Sequence, residues 1–197
     1  MVICRPHHKE HTWSGEYTWS GEHTAKAYYS NVFRQSADHI WNVIWDFNNY
    51  PVWVEGAGES HIEDGKSGDT AGAVRNVMYQ GKNIRQKLLA ISDLDRSQSY
   101  EFCGEPPMPV RHYRATLKVT PVTEGDRAFV EWWATFDCAP DRQDEWTMFF
   151  RDSFGRWLSS LRRNLETSAQ LAPERAGTAP PMYDHDRREI QRLRQAR

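Results

Sequence analysis

The run RQDEWTMFFRDSFGRWLSSLRRNLET, from Arg142 to Thr167, decides the fold. Trp146, Phe150, Phe154, Trp157, Leu161 and Leu165 recur in it at steps of three and four, which places them on one face of an α-helix. Arg151, Arg156, Arg162 and Arg163 lie mostly off that stripe. A long helix with one apolar face needs a second layer to cover it.

The residues ahead of it supply that layer. Strand-like runs at about 58–63, 70–79, 83–92, 97–103, 110–121 and 127–138 are separated by turn-forming clusters at 64–69, 80–82, 92–95, 104–109 and 124–126. Links this short between consecutive strands make hairpins, so an antiparallel meander is expected. Residues 24–34, with Tyr28, Tyr29, Val32 and Phe33, read as a first strand. Ser36 is a candidate N-cap for a helix carrying Ile40, Trp41, Ile44 and Phe47. Asn48-Asn49-Tyr50-Pro51 ends that helix, because the residue before a proline leaves the α region. A short turn or helix carries the chain to Glu55. The expected architecture is α+β: a curved antiparallel seven-stranded sheet around a long C-terminal helix.

Outside 24–167 the pattern changes. Residues 1–23 read as an arm with a tandem repeat, Thr12-Trp13-Ser14-Gly15-Glu16-Tyr17 and Thr18-Trp19-Ser20-Gly21-Glu22-His23. Residues 168–197 read as a charged tail behind a Pro/Gly/Ala-rich linker. Cys4, His7, His8 and His11 fit no metal-ligand template, and no metal or cofactor is expected.

Charge is nearly balanced, with 25 Lys and Arg against 27 Asp and Glu, which argues against a nucleic-acid partner. No apolar run reaches the ~18 residues of a membrane span, and Met1 to Glu10 holds no apolar signal segment. Three cysteines without a CxxC spacing suggest free thiols in a cytoplasmic protein. Asp137 and Cys138 have no histidine nearby in the pattern, so no triad is expected there. Aromatic residues make up 13% of the chain, enough for a bulky core or for the walls of a ligand cavity.

The order of strand, two short helices, six strands and long helix resembles the START/Bet v 1-like superfamily (SRPBCC), the helix-grip fold. The segment Trp41-Asn42-Val43-Ile44-Trp45-Asp46-Phe47-Asn48-Asn49-Tyr50-Pro51-Val52-Trp53 resembles the helix-to-turn passage of its polyketide cyclase/dehydrase branch. Ile62-Glu63-Asp64-Gly65, Gly72-Ala73-Val74-Arg75, Ile84 to Asp93 and Ser97 to Tyr100 continue the likeness. It implies a cavity for a small, largely apolar molecule, and in some relatives cofactor-independent lyase or isomerase chemistry. Within that branch the chain is similar to the lachrymatory factor synthase group, which uses an arginine, a glutamate and a tyrosine on a small sulfenic acid. Arg75 and Tyr113 match the first and third of these; Gln86 stands where the glutamate would be. Glutamine neither takes nor gives a proton at ordinary pH, so that acid–base chemistry does not carry over.

Strand alternation places the same polar residues independently. Ala73, Arg75, Val77 and Tyr79 share a face, as do Ile84, Gln86, Leu88 and Ala90. So do Arg111, Tyr113, Ala115, Leu117 and Val119, and Ala128, Val130, Trp132, Ala134, Phe136 and Cys138. Arg75, Tyr113 and Gln86 are therefore the candidate catalytic set. Trp53, Val77, Tyr79, Leu88, Tyr100, Phe102, Arg111, Trp132, Phe150, Phe154 and Trp157 are candidate ligand-binding walls. A charge on an apolar face needs a partner: Arg75 either anchors the acidic or carbonyl end of a ligand or sits in an internal salt bridge with Glu59 or Glu101. Two functions fit: a cyclase-, dehydratase- or isomerase-type enzyme, and a non-catalytic carrier or sensor of an apolar metabolite. A third reading has the interior filled by the protein's own rings, with the tails binding partners.

Overall fold

The computed structural model describes residues 24–171, with side chains as far as 168. The repeat, the histidine-rich start and the charged C-terminal residues fall outside the described residues.

Seven antiparallel strands form one sheet in the order β1-β7-β6-β5-β4-β3-β2. They are β1 (Thr24–Phe33), β2 (Ala57–Ile62), β3 (Val74–Tyr79), β4 (Lys82–Ser92), β5 (Ser97–Phe102), β6 (Arg111–Val122) and β7 (Arg127–Asp137). Between β1 and β2 lie α1 (Ala37–Ile44), a single tight turn, and α2 (Tyr50–Trp53). The last element is α3 (Gln143–Leu171). This is the helix-grip fold.

Local chemistry accounts for the joints. Ser36 caps α1, its hydroxyl accepting the His39 N–H at 3.3 Å. Asp46 does the same for the following turn, accepting from Asn48 N–H at 2.8 Å. β3 and β4 meet through Gln80-Gly81, both at positive φ (48° and 76°), as a two-residue hairpin requires. Tyr79 and Lys82 are paired across it.

Burial alternates strictly on β7, where Ala128, Val130, Trp132, Ala134 and Phe136 are fully buried. α3 answers with Phe150, Ser153, Phe154, Leu158 and Leu161. Leu158 is missing from the stripe read off the sequence, and Trp146 at its start is only half-buried. Helix and sheet lie close together at Gly155, where a Cβ would stand 3.1 Å from the Tyr29 ring. Toward its C-terminal part α3 is also tied by polar bonds. The Arg162 guanidinium donates to Asn31 Oδ1 at 2.5 Å and to Val32 O at 2.9 Å. Ser160 Oγ accepts from Glu55 N–H at 3.0 Å, Asn164 Nδ2 donates to Val52 O at 3.0 Å, and Arg163 pairs with Glu55.

Two bulges correct the alternation. The register shifts between Leu88 and Ala90, so Ala90 is exposed instead of continuing the face of Gln86 and Leu88. It shifts again between Arg111 and Arg114, with His112 at φ 49°. Arg111 is therefore separated from the face of Tyr113 and is exposed. Of the thiols, Cys138 is free, as expected, and buried, whereas Cys103 departs from expectation in being disulfide-bonded.

Candidate functional site

Antiparallel pairing lines up one transverse row on the helix-facing side of the sheet. Arg75 of β3 stands opposite Gln86 of β4, and Gln86 opposite Phe102 of β5. The Phe102 ring stacks on Tyr113 of β6, with centroids 4.2 Å apart. One register step away, Leu88, Tyr100, Ala115 and Ala134 form a second row.

Arg75 is only 2% exposed. Its Nη1 donates to Phe47 O at 2.5 Å and its Nη2 to Gln86 Oε1. Its guanidinium carbon lies 4.0 Å from the Phe47 ring centre, 4.2 Å from that of Tyr50 and 5.9 Å from that of Tyr100. Its Nε–H is buried without a partner. Among the described residues no carboxylate bonds to it. Glu101, one of the two partners considered above, bridges Lys87 and Arg114 at 3.9 Å each. Burial lowers the Arg75 pKa to about 10, a fall that the nearby Tyr50, Tyr100 and Asp46 oppose. The side chain is thus a cation at neutral pH, inside the protein, held by neutral groups and rings.

The tyrosines around it stay protonated. Burial pushes Tyr50 and Tyr113 well above the ordinary tyrosine range. It raises Tyr100 to about 12, with the Arg75 charge and hydrogen bonds from Trp132 and Tyr113 as partial offsets. Gln86 is neutral. The site therefore offers positive charge and hydrogen-bond donors, and none of these groups is a base near neutrality.

Aromatic rings close the interior next to this row. Trp132 stacks on Phe154 at 5.0 Å and 13°, and touches Trp53 and Trp157 at 5.9 and 5.1 Å. Phe150 packs on Tyr113 and Phe136. At the level of Trp132, sheet and helix are in direct contact, so a molecule seated beside Arg75 has to part these rings. Three interior or half-buried indoles have acceptors: Trp132 donates to Tyr100 OH at 3.0 Å, Trp157 to Tyr79 OH at 2.9 Å and Trp41 to Asp93 at 2.8 Å. Trp53 Nε1, 2% exposed as a residue, has none. Gln98 leaves an acceptor, Oε1, unpartnered while its amide donates to Ile44 O at 3.1 Å.

The structure brings Arg75, Gln86, Tyr113, Tyr100, Phe102, Trp53, Trp132, Phe150, Phe154 and Trp157 onto one side of the sheet or into contact there. Val77 and Leu88 are buried in the same strands, and Tyr79 is half-buried under Trp157. Arg111 stays outside. Phe47 and Tyr50, the rings lying on Arg75, were not among the sequence candidates. In the sequence Phe47 reads as part of a helix stripe and Tyr50 as part of a helix stop. His112 is exposed and pairs with Asp137 at 2.6 Å. This corrects the expectation that Asp137 has no histidine nearby.

The model of a family described as polyketide cyclase / dehydrase and lipid transport matches residues 24–166. Among solved structures, an uncharacterized protein from Bacillus thuringiensis is 26% identical, with a TM-score of 0.63 over 71% of this chain and 97% of its own. The protein XoxI from Bacillus cereus is 26% identical, with a TM-score of 0.64 over 73% and 98%. A truncated norcoclaurine synthase from Thalictrum flavum is 14% identical, with a TM-score of 0.60 over 77% and 97%, and shares the fold. No curated protein matches.

Proposed function

The chain belongs to the polyketide cyclase / dehydrase and lipid transport family of the START/Bet v 1-like superfamily, and from that premise we propose that it holds a small, largely apolar molecule by an anionic or enolate oxygen at Arg75. The observation that carries this is a buried cation with no carboxylate partner among the described residues and one nitrogen, Nε, that bonds to nothing there. A buried charge costs several kcal/mol unless it is compensated. Rings and two neutral oxygens compensate it in part, and an anionic ligand would complete the pair. Arginine suits the task because its planar fork matches carboxylates and enolates and keeps its proton.

The chemistry around Arg75 favours a carrier or sensor. Binding needs charge, donors and apolar walls, and these are what the residues provide. A second reading, a cyclase-, dehydratase- or isomerase-type enzyme, is supported by the convergence of Arg75 with the hydroxyls of Tyr50, Tyr100 and Tyr113. Such donors stabilise charge developing on an enolate-like oxygen. Proton movement would then fall to the substrate itself or to bound water, since Gln86 replaces a carboxylate.

Native mass spectrometry of the purified protein tests both readings. The parent is expected to retain a small acidic or enolisable molecule that Arg75→Met loses. Equal retention by both would discard the anchor. If the retained molecule is returned unchanged after incubation, the carrier reading stands; conversion of it establishes the enzyme.

A further inference from the structure

We infer that Trp53 is a specificity-determining contact: its indole N–H donates to a neutral oxygen acceptor on the same ligand whose anionic oxygen meets Arg75. This rests on the Arg75 reading and adds a second polar end to the ligand. Its class becomes an apolar acid with a carbonyl, ether or hydroxyl oxygen placed away from the acidic group.

The molecule contains its own controls. Trp41, Trp132 and Trp157 all give their N–H to an oxygen at 2.8–3.0 Å. Trp53 is as buried as Trp132 to within 2% and, among the described residues, gives its N–H to nothing. A buried donor left unpaired forfeits its hydrogen bond to water, so native structures rarely keep one without a reason. Its position supplies the reason. Trp53 packs edge-on against Tyr50 at 5.2 Å, and Arg75 lies over the Tyr50 ring at 4.2 Å. Two unpartnered donors, Trp53 Nε1 and Arg75 Nε, thus flank one aromatic ring. The span between the Arg75 Cζ and the Trp53 ring cannot exceed the sum of those two distances, so one small molecule can reach both. Trp53 also touches Trp132, at 5.9 Å, so its ring belongs to the set that a ligand must part.

The test uses two isosteric probes, 6-methoxy-2-naphthoate and 6-ethyl-2-naphthoate. They share the carboxylate and the shape and differ by one ether oxygen. Titration calorimetry is run on the parent, Trp53→Phe and Arg75→Met. The parent is expected to prefer the methoxy probe about tenfold, the worth of one hydrogen bond to an otherwise unpaired buried donor. Trp53→Phe should bring that ratio to one, whatever it does to the affinity common to the two probes, and Arg75→Met should weaken both probes together. Equal binding of the two probes by the parent, with the Arg75 dependence intact, overturns the Trp53 assignment alone. So does a preference that survives in Trp53→Phe. Equal binding by parent and Arg75→Met, or no binding by the parent, overturns the anchor reading beneath it. Should Trp53→Phe fail to fold, the parent's indole N–H resonances decide. One of them must shift with the methoxy probe and not with the ethyl probe, and the absence of such a shift refutes the contact.

Discussion

Replacing Arg75 by methionine removes a charge, two hydrogen bonds and the contacts of a guanidinium with three rings, and the balance of these can be worked out. The fall of the Arg75 pKa to about 10 means that its surroundings as a whole hold about 3 kcal/mol against the charged form. Methionine relieves that penalty and keeps an apolar stem of similar length. Against the relief stand the bonds to Phe47 O and Gln86 Oε1, at about 1.5–3 kcal/mol each for a charged donor. The net loss should stay below about 3 kcal/mol. Breaking a buried ion pair typically costs about 3–5 kcal/mol, because a naked countercharge is left behind; no such countercharge bonds to Arg75. Urea unfolding of parent and variant measures the difference through the midpoints, provided the slope is unchanged. A loss above about 4 kcal/mol would refute the reasoning and make Arg75 a structural keystone.

Gly68→Ala should destabilise the fold by about 1–2 kcal/mol, the worth of a lost cap. A Cβ there would stand 2.0 Å from Asp46 Oδ1 and drive that carboxylate off the Asn48 N–H; thermal melts check it, and an unchanged midpoint counts against it. Alkaline titration followed by tyrosine absorbance should find Tyr50, Tyr100 and Tyr113 silent until the protein unfolds. Their folded-state pKa values are raised, so above pH ~10 the unfolded chain binds fewer protons at these positions and stability falls as pH rises. Arg75 works in the opposite sense above pH about 10, because its folded-state pKa is lowered, but it is one group against three. Full ionisation of all tyrosines in the still-folded protein would contradict the burial described here.

The elements were legible because their signals are local. Ser36 caps α1, Gln80-Gly81 turns the hairpin, and the spacing from Phe150 to Leu161 marks the buried side of α3. Alternation places Arg75 and Gln86 each on the apolar face of its strand, and no bulge interrupts the pairing that sets them opposite each other. Arg111 and Ala90 were misplaced because a single extra residue in a strand reverses every later side chain, and composition does not mark where it sits. Phe47 and Tyr50 were missed for a different reason. A helical period says which residues turn inward, not which distant side chain they will cover. The His112–Asp137 pair likewise depends on strand pairing across residues far apart in sequence.

The uneven fastening of α3 has a mechanical consequence. Residues 160–164 are bonded to β1, to Glu55 and to Val52, whereas the described residues 146–156 make no side-chain hydrogen bond to the sheet. Met148 and Phe149 lie half in solvent at that loosely held end. A load that separates the two layers would swing the helix about its latched part, much as a door moves least beside its hinge. On the proposed binding reading, a molecule bound beside Arg75 would enter near Phe150 and Phe154, and the wet flank of the helix would register its entry first.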